Sequence, residues 1–215
     1  MHEVLVAFLG VFAGLFPIVN PLGMAPIFLR LTHGSSQEVR SRLAWRIAAA
    51  SFFLMSVSLF IGAYILAFFG LTISAVQIGG GLVVMAAGWR LLQQGSNTSE
   101  REKQASASDE ELMMDRAFFP LTMPLTVGPG SISVAITLGT RGSGADYSGW
   151  LGALLAVIAV ASTIYVSYRF AAWILHYLGK TGTEVFMRLS AFILLCLGAQ
   201  ILISGVTGLP IFADK

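Results

Sequence analysis

Residues 16–26 read FPIVNPLGMAP and residues 119–129 read FPLTMPLTVGP. Phe16, Pro17, Pro21, Leu22 and Pro26 recur 103 positions later as Phe119, Pro120, Pro124, Leu125 and Pro129, so six of the seven prolines of the chain fall into one alignment. A proline inside a helix removes a backbone hydrogen bond and clashes with the preceding turn, at about 3 kcal/mol or more. Three of them in so short a stretch do not leave a regular helix. Breaks are therefore expected near Asn20 to Gly23 and near Thr126 to Gly130.

Both stretches lie in apolar surroundings. Of the 215 residues 56% are hydrophobic and only 11% charged, with a mean hydropathy of +0.79, against about 25% charged in an ordinary soluble domain. A soluble globular protein is excluded. Six stretches hold no charged residue at all: 5–29, 47–68, 71–89, 117–139, 150–168 and 189–207. An unpaired charge at mid-bilayer costs about 2.5 to 3.5 kcal/mol or more, and each stretch is near the roughly 20 residues that a helix needs to cross the hydrocarbon. The fold expected is an all-α membrane protein with six transmembrane helices, of which the first and fourth are broken. The first span is read as retained, because no basic segment precedes it and no A-x-A site follows it.

Six spans put the Lys and Arg residues on two sides very unequally. Arg141 and Lys215 fall on the side of the termini, whereas Arg30, Arg40, Arg42, Arg46, Arg90, Arg101, Lys103, Arg116, Arg169, Lys180 and Arg188 fall on the other. Cytoplasmic loops are enriched in these residues, so the expected location is a bacterial cytoplasmic (inner) membrane with both termini outside. The polar run 94–116 has six acids, three bases and no aromatic residue, the composition of a cytoplasmic linker. Its Asp109, Glu110 and Glu111 would suit a docking or regulatory contact, against the plainer reading of a solvated tether. FAAWILHYL at 170–178 is too short to span, and with Trp173 and Tyr177 it reads as an interfacial helix or the tail of span five.

The linker divides the chain into a first three-helix repeat, 1–93, and a second, 117–215, together one membrane domain. GWRLLQQG at 88–95 and GAQILISG at 198–205 add a weaker match between the halves. An odd number of spans in each half forces the second to sit upside down, as an inverted-topology repeat. Secondary transporters are often built so, with substrate and ion sites near mid-bilayer where discontinuous helices meet. Unpaired backbone groups at a break are tolerated only within protein or against a wet cavity. Gly23, Gly128 and Gly130 would let a ligand approach the backbone, and half-helix N-termini favour an anionic group such as a carboxylate.

The candidate substrate-binding residues are Asn20, Pro21, Gly23, Thr122, Thr126, Gly128, Pro129, Gly130 and Ser131, with Ser133 also in reach. Asn20 leads them, since an unsatisfied amide in hydrocarbon is costly, although capping the following half-helix would also account for it. Gln77 and Gln200 read as interhelical hydrogen bonds, and Gly10, Gly14 and Gly79 to Gly81 as close helix packing.

At these residues the chain resembles the MarC family of bacterial integral membrane proteins. The resemblance runs through NPLGMAPIF at 20–28, GGGLVVMAAGWRLL at 79–92, PLTMPLTVGPGSIS at 120–133 and LGKTGTEVFMRL at 178–189. It implies six spans and a kinship with transporters of small neutral amino acids such as glycine and alanine. It also implies that the family's asparagine-proline motif is Asn20 and Pro21 with Gly23, and its glycine-proline-glycine motif Gly128, Pro129 and Gly130.

No Asp, Glu, Lys or Arg lies in a span, so an intramembrane carboxylate relay is excluded and the substrate is expected to be neutral or zwitterionic. A coupling ion would be H+ or Na+, and the sequence leaves both open. His2, His33 and His176 are far apart and Cys196 is alone, which points to no metal site, no other cofactor, no disulfide and no enzyme. The net charge of +2 sits in short loops and indicates no nucleic acid. Partners expected are the lipid bilayer and a small neutral amino acid, with a homo-oligomer left open. The alternatives to a secondary transporter are a channel or exporter for other small polar solutes and a membrane signalling or structural protein acting through the linker.

Overall fold

A computed structural model describes residues 2–32, 34–93, 117–142 and 147–209. Among the described residues the chain is all-helical, as α1 (His2–Val19), α2 (Pro21–Leu31), α3 (Gln37–Phe60), α4 (Gly62–Phe68), α5 (Ile73–Gln93), α6 (Ala117–Thr126), α7 (Pro129–Gly142), α8 (Tyr147–Arg169) and α9 (Ala171–Thr207). The linker with its acidic run lies outside the described residues.

Among the described residues five segments are long and apolar enough to cross a membrane: His2–Leu29 taken across Asn20, Gln37–Phe60, Ile73–Gln93, Tyr147–Arg169 and Thr181–Thr207. The remaining charge-free stretch, 117–139, is divided between the 10 residues of α6 and the first part of the 14-residue α7. Neither piece reaches the roughly 20 residues of a spanning helix.

Local chemistry sets several helix ends beyond the limits of the charge-free stretches. Ser36 caps α3, its side chain accepting from Val39 N at 3.2 Å, and Glu38 in the first turn meets Arg42 at 2.7 Å. The helix therefore begins ten residues ahead of the apolar run. It bends at Ile61, where φ is −114°, into the short α4. Segment 170–178 is likewise not a continuation of α8. Phe170 intervenes, and 171–178 forms the head of α9, set off from 181–207 by Gly179 with φ 66° and ψ −179°.

Lipid gives no hydrophobic drive for helices to associate, so close van der Waals approach has to supply it. The seam between α5 and α9 does this with glycine. A Cβ on Gly81 would meet Leu202 N at 2.6 Å, one on Gly88 Leu195 N at 2.6 Å, one on Gly198 Met85 N at 2.5 Å and one on Gly205 Ile78 N at 2.9 Å. Residue numbers rise along α5 as they fall along α9, so the two run antiparallel with backbone against backbone. Gly80, Gly81 and Gly14 thus serve packing, Gly14 against Leu138, while Gly10 and Gly79 have open space beside them.

The other helices surround a core that contains Leu15, Phe28, Leu43, Ile47, Met55, Val127, Val160, Ile164 and Tyr168. α1 packs on α8 and α7, α3 on α8, α7 and α6, α5 on α7 and α9, and α2 on α8, α9 and α6. Outward faces carry exposed Phe53, Leu82, Leu155 and Phe192, as a lipid-facing surface requires.

Candidate functional site

The first interruption is a single residue. α1 ends at Val19 and α2 begins at Pro21, with Asn20 between them at φ 47°. Asparagine enters this left-handed region more readily than most residues because its short side chain can bond locally. Here it does so: Asn20 Oδ1 accepts from Gly23 N at 3.2 Å. The following proline starts the half-helix with φ already fixed and with no N–H to leave unpaired. Gly23 has to be glycine, because an added Cβ would collide with the Asn20 side chain. Asn20, Pro21 and Gly23 are therefore one interlocked N-terminus, and Pro21 and Gly23 are buried.

The second interruption is built differently. α6 is wound as a π-helix, with Thr122 Oγ1 donating to Ala117 O at 2.7 Å, Thr126 Oγ1 to Leu121 O at 2.7 Å and Val127 N to Thr122 O at 2.8 Å. Each bond spans five residues. Such winding inside helices recurs at functional sites. Proline favours it locally, since Pro124 brings no N–H to the ladder. Val127 and Gly128 leave the helix, and Pro129 begins α7 as Pro21 begins α2. The first intrahelical bond of α7 is Ile132 N to Gly128 O at 3.1 Å, so the N–H groups of Gly130 and Ser131 precede it and belong to the uncompensated end of the helix. Ser131 Oγ turns back to Gly128 O at 2.9 Å. The open side of Gly130 faces Val84 of α5.

The end of α6 is tied to α2 through a residue outside the sequence-derived candidates. Tyr168, fully buried on α8, shares a 2.8 Å hydrogen bond with Thr126 and stacks on Phe28 of α2, the ring centroids 4.6 Å apart. In sequence Tyr168 stands at the end of an apolar run beside Arg169, and nothing in the pattern singles it out. Only the packing of α2, α6 and α8 around it reveals the role. Ser133 also joins two elements, bonding Val76 O of α5 at 3.0 Å, and Gln77 bonds Thr137 at 3.2 Å as an interhelical contact. Gln200 contributes its main-chain carbonyl to Ser204.

The oxygens of Asn20, Thr122, Thr126 and Ser131 are thus engaged within the protein. At the start of α7 the N–H groups of Gly130 and Ser131 are left as main-chain donors carrying partial positive charge, whereas at the start of α2 Gly23 N is held by Asn20 and Met24 N by Asn20 O, which leaves Leu22 N.

The family profile described as MarC family integral membrane protein matches residues 5–210. The chain belongs to the MarC family. It is 33% identical over 199 residues to the UPF0056 inner membrane protein MarC of Citrobacter koseri, covering 89% of this chain and 90% of that protein. The MarC protein of Salmonella typhimurium is 32% identical over 199 residues, with coverage of 89% and 90%. The UPF0056 membrane protein YhcE of Escherichia coli is 29% identical over 198 residues, with coverage of 92% and 91%. No solved structure matches. As a MarC-family member with several helices long and apolar enough to cross a membrane among the described residues, the chain is a multi-pass integral membrane protein.

Proposed function

We propose that this MarC-family protein is a secondary transporter of small neutral amino acids, glycine- or alanine-like, working by alternating access in the bacterial inner membrane with both termini outside. The inner-membrane assignment follows the likeness to the inner membrane protein MarC of Citrobacter koseri, and the orientation follows the distribution of Lys and Arg. The substrate class follows from the resemblance and from spans without fixed charge, which suit a zwitterion better than an ion.

The observation that carries the proposal is the pair of helix starts at Pro21 and Pro129, each opening directly after a non-helical residue within an apolar stretch. Helix-start N–H groups suit a carboxylate, and interrupted helices of this kind form substrate sites in transporters built from inverted repeats. In this reading α1 with α2 and α6 with α7 are spans one and four of six, and 1–93 and 117–215 are two inverted three-helix repeats joined by the cytoplasmic linker 94–116. Two features favour that symmetry. In each half a long helix ends at a bend, Ile61 with φ −114° or Phe170 with φ −102°, and a glycine with φ near 65°, Gly70 or Gly179, follows nine residues later. Exchanging α1 with α6, α2 with α7, α3 with α8 and α5 with α9 also turns the main helix contacts into one another, α1 on α8 into α6 on α3 and α5 on α7 into α9 on α2.

The test is uptake of radiolabelled alanine and glycine by proteoliposomes under an imposed proton or sodium gradient. Saturable uptake under one gradient is expected. No flux of either amino acid under either gradient overturns the substrate assignment.

A further inference from the structure

The faces of α5 are unlike. Toward α9 it presents Gly81 and Gly88 to backbone, and α9 answers with Gly198 and Gly205, each also close to main-chain nitrogen of α5, so the contact is chiefly backbone on backbone. Toward α7 it presents Gly80, where a Cβ would meet the Ser133 side chain at 2.6 Å, together with Gln77, whose Nε2 donates to Thr137 Oγ1 at 3.2 Å, and the Val76 carbonyl, which accepts from Ser133 Oγ at 3.0 Å, so this contact is made largely by side chains that can turn. Side-chain hydrogen bonds can break and re-form at modest cost, whereas interlocked backbones do not slide by fractions of an ångström. At their N-terminal ends α5 and 181–207 of α9 are each reached through a positive-φ glycine, Gly70 at 65° and Gly179 at 66°, with nothing within 4 Å of where a Cβ would stand. Gly70 also closes α4, with Leu71 N bonding Leu66 O at 2.9 Å, so the backbone turns there without the support of a side chain. Element-terminal residues that absorb a change of φ and ψ are where hinges are found.

We propose that α5 and residues 181–207 of α9 move as one rigid pair on the glycine hinges Gly70 and Gly179, opening and closing the seam between α5 and α7 beside the Gly128–Ser131 turn. The pair is then a gate over the second interruption, and its latch is the Gln77–Thr137 bond together with Ser133 on Val76. Val84, seated on Gly130, withdraws when the gate opens and uncovers the start of α7. The gate's function rests on the transporter reading, but its motion does not, and the two are tested apart.

The experiment measures spin-label distances on the full chain in lipid nanodiscs, in a Cys196→Ser background. One labelled pair, Leu82→Cys with Phe192→Cys, lies within the proposed rigid unit. The other, Leu82→Cys with Leu155→Cys, joins that unit to α8. All three positions are exposed. The first distance is expected to be single and narrow, and the second to have two components. Gln77→Ala should shift the second distribution toward the longer component about fivefold, the equivalent of one neutral hydrogen bond of about 1 kcal/mol, without changing the first. Gly70→Ala with Gly179→Ala should change the ratio of the two components, because alanine resists positive φ. A single narrow Leu82–Leu155 distance that none of these changes moves overturns the proposal. So does a Leu82–Phe192 distance that broadens along with it. If alanine and glycine fail to cross proteoliposomes while these distances behave as described, the substrate assignment fails and the gate stands.

Discussion

The two interruptions reach the same outcome, a helix that begins with proline, by different backbone geometry and different local chemistry. At Asn20 one side chain does everything: it tolerates φ 47°, accepts from Gly23 N and fills the space that Gly23 leaves. At Val127 and Gly128 no side chain plays that part. The chain instead arrives through a π-helix whose threonines bond carbonyls five residues back, and it departs through a glycine-proline pair with Ser131 folded onto Gly128 O. Both end in a helix that begins with proline. The shared element is thus the start of a helix, and the means of stopping the helix before it is local.

The largest effects are expected where that shared element is spoiled. Gly128→Leu should abolish transport in proteoliposomes while the protein still fractionates with membranes, since the substitution adds bulk at the break without touching the spans. Asn20→Ala should do the same at the other break. There the loss of the cap, about 1 kcal/mol, adds to an alanine held at positive φ, about 1–2 kcal/mol.

A middle range separates packing from chemistry. Gly130→Ala places a methyl group into Val84 and should cost about 1–3 kcal/mol, seen as a lower Tm in detergent. Val84→Ala in the same chain should recover most of it. If Gly130→Ala alone leaves Tm unchanged, α7 does not lean on α5 as described. Tyr168→Phe keeps the stack on Phe28 but removes the hydroxyl bonded to Thr126. Thr126 keeps Leu121 O as a partner, so a loss of about 0.5–1.5 kcal/mol is expected.

The smallest stability effect sharpens the comparison most. Asn20→Gly retains the positive φ and loses only the cap, a few tenths of a kcal/mol. Stability near the parental value combined with lost transport would show that the Asn20 amide meets the solute. Parental transport would reduce Asn20 to a helix cap.

Much of this architecture is legible in the sequence because lipid makes the code coarse. Charge is excluded from hydrocarbon, so the apolar stretches can be read off. Proline fits the helix starts at Pro21 and Pro129, where no N–H is needed, but Pro17 and Pro26 lie inside α1 and α2, so the prolines alone do not place a break. Gln77 could be assigned to an interhelical bond, since an amide in a span needs a partner. Less legible was whatever depends on which helix stands opposite. Tyr168 carries no signal of its own until α2 and α6 are seen to close over it. Gly130 and Gly23 read as room for a ligand, whereas Val84 and the Asn20 side chain stand there. Gly10 and Gly79 have the same composition signal as Gly14 and Gly81 but no neighbour. Helix α3 begins at Gln37, in polar sequence, because of a serine cap and an ion pair rather than an apolar run.

The central claim is that a solute passes by way of the two helix starts, and counterflow tests it most directly. Proteoliposomes loaded with unlabelled alanine are diluted into labelled alanine, so that exchange needs a carrier but no ion gradient. The parental protein should give a transient overshoot of label that Asn20→Ala and Gly128→Leu both lack. No overshoot from the parent, or exchange at the parental rate in both variants, would contradict the account.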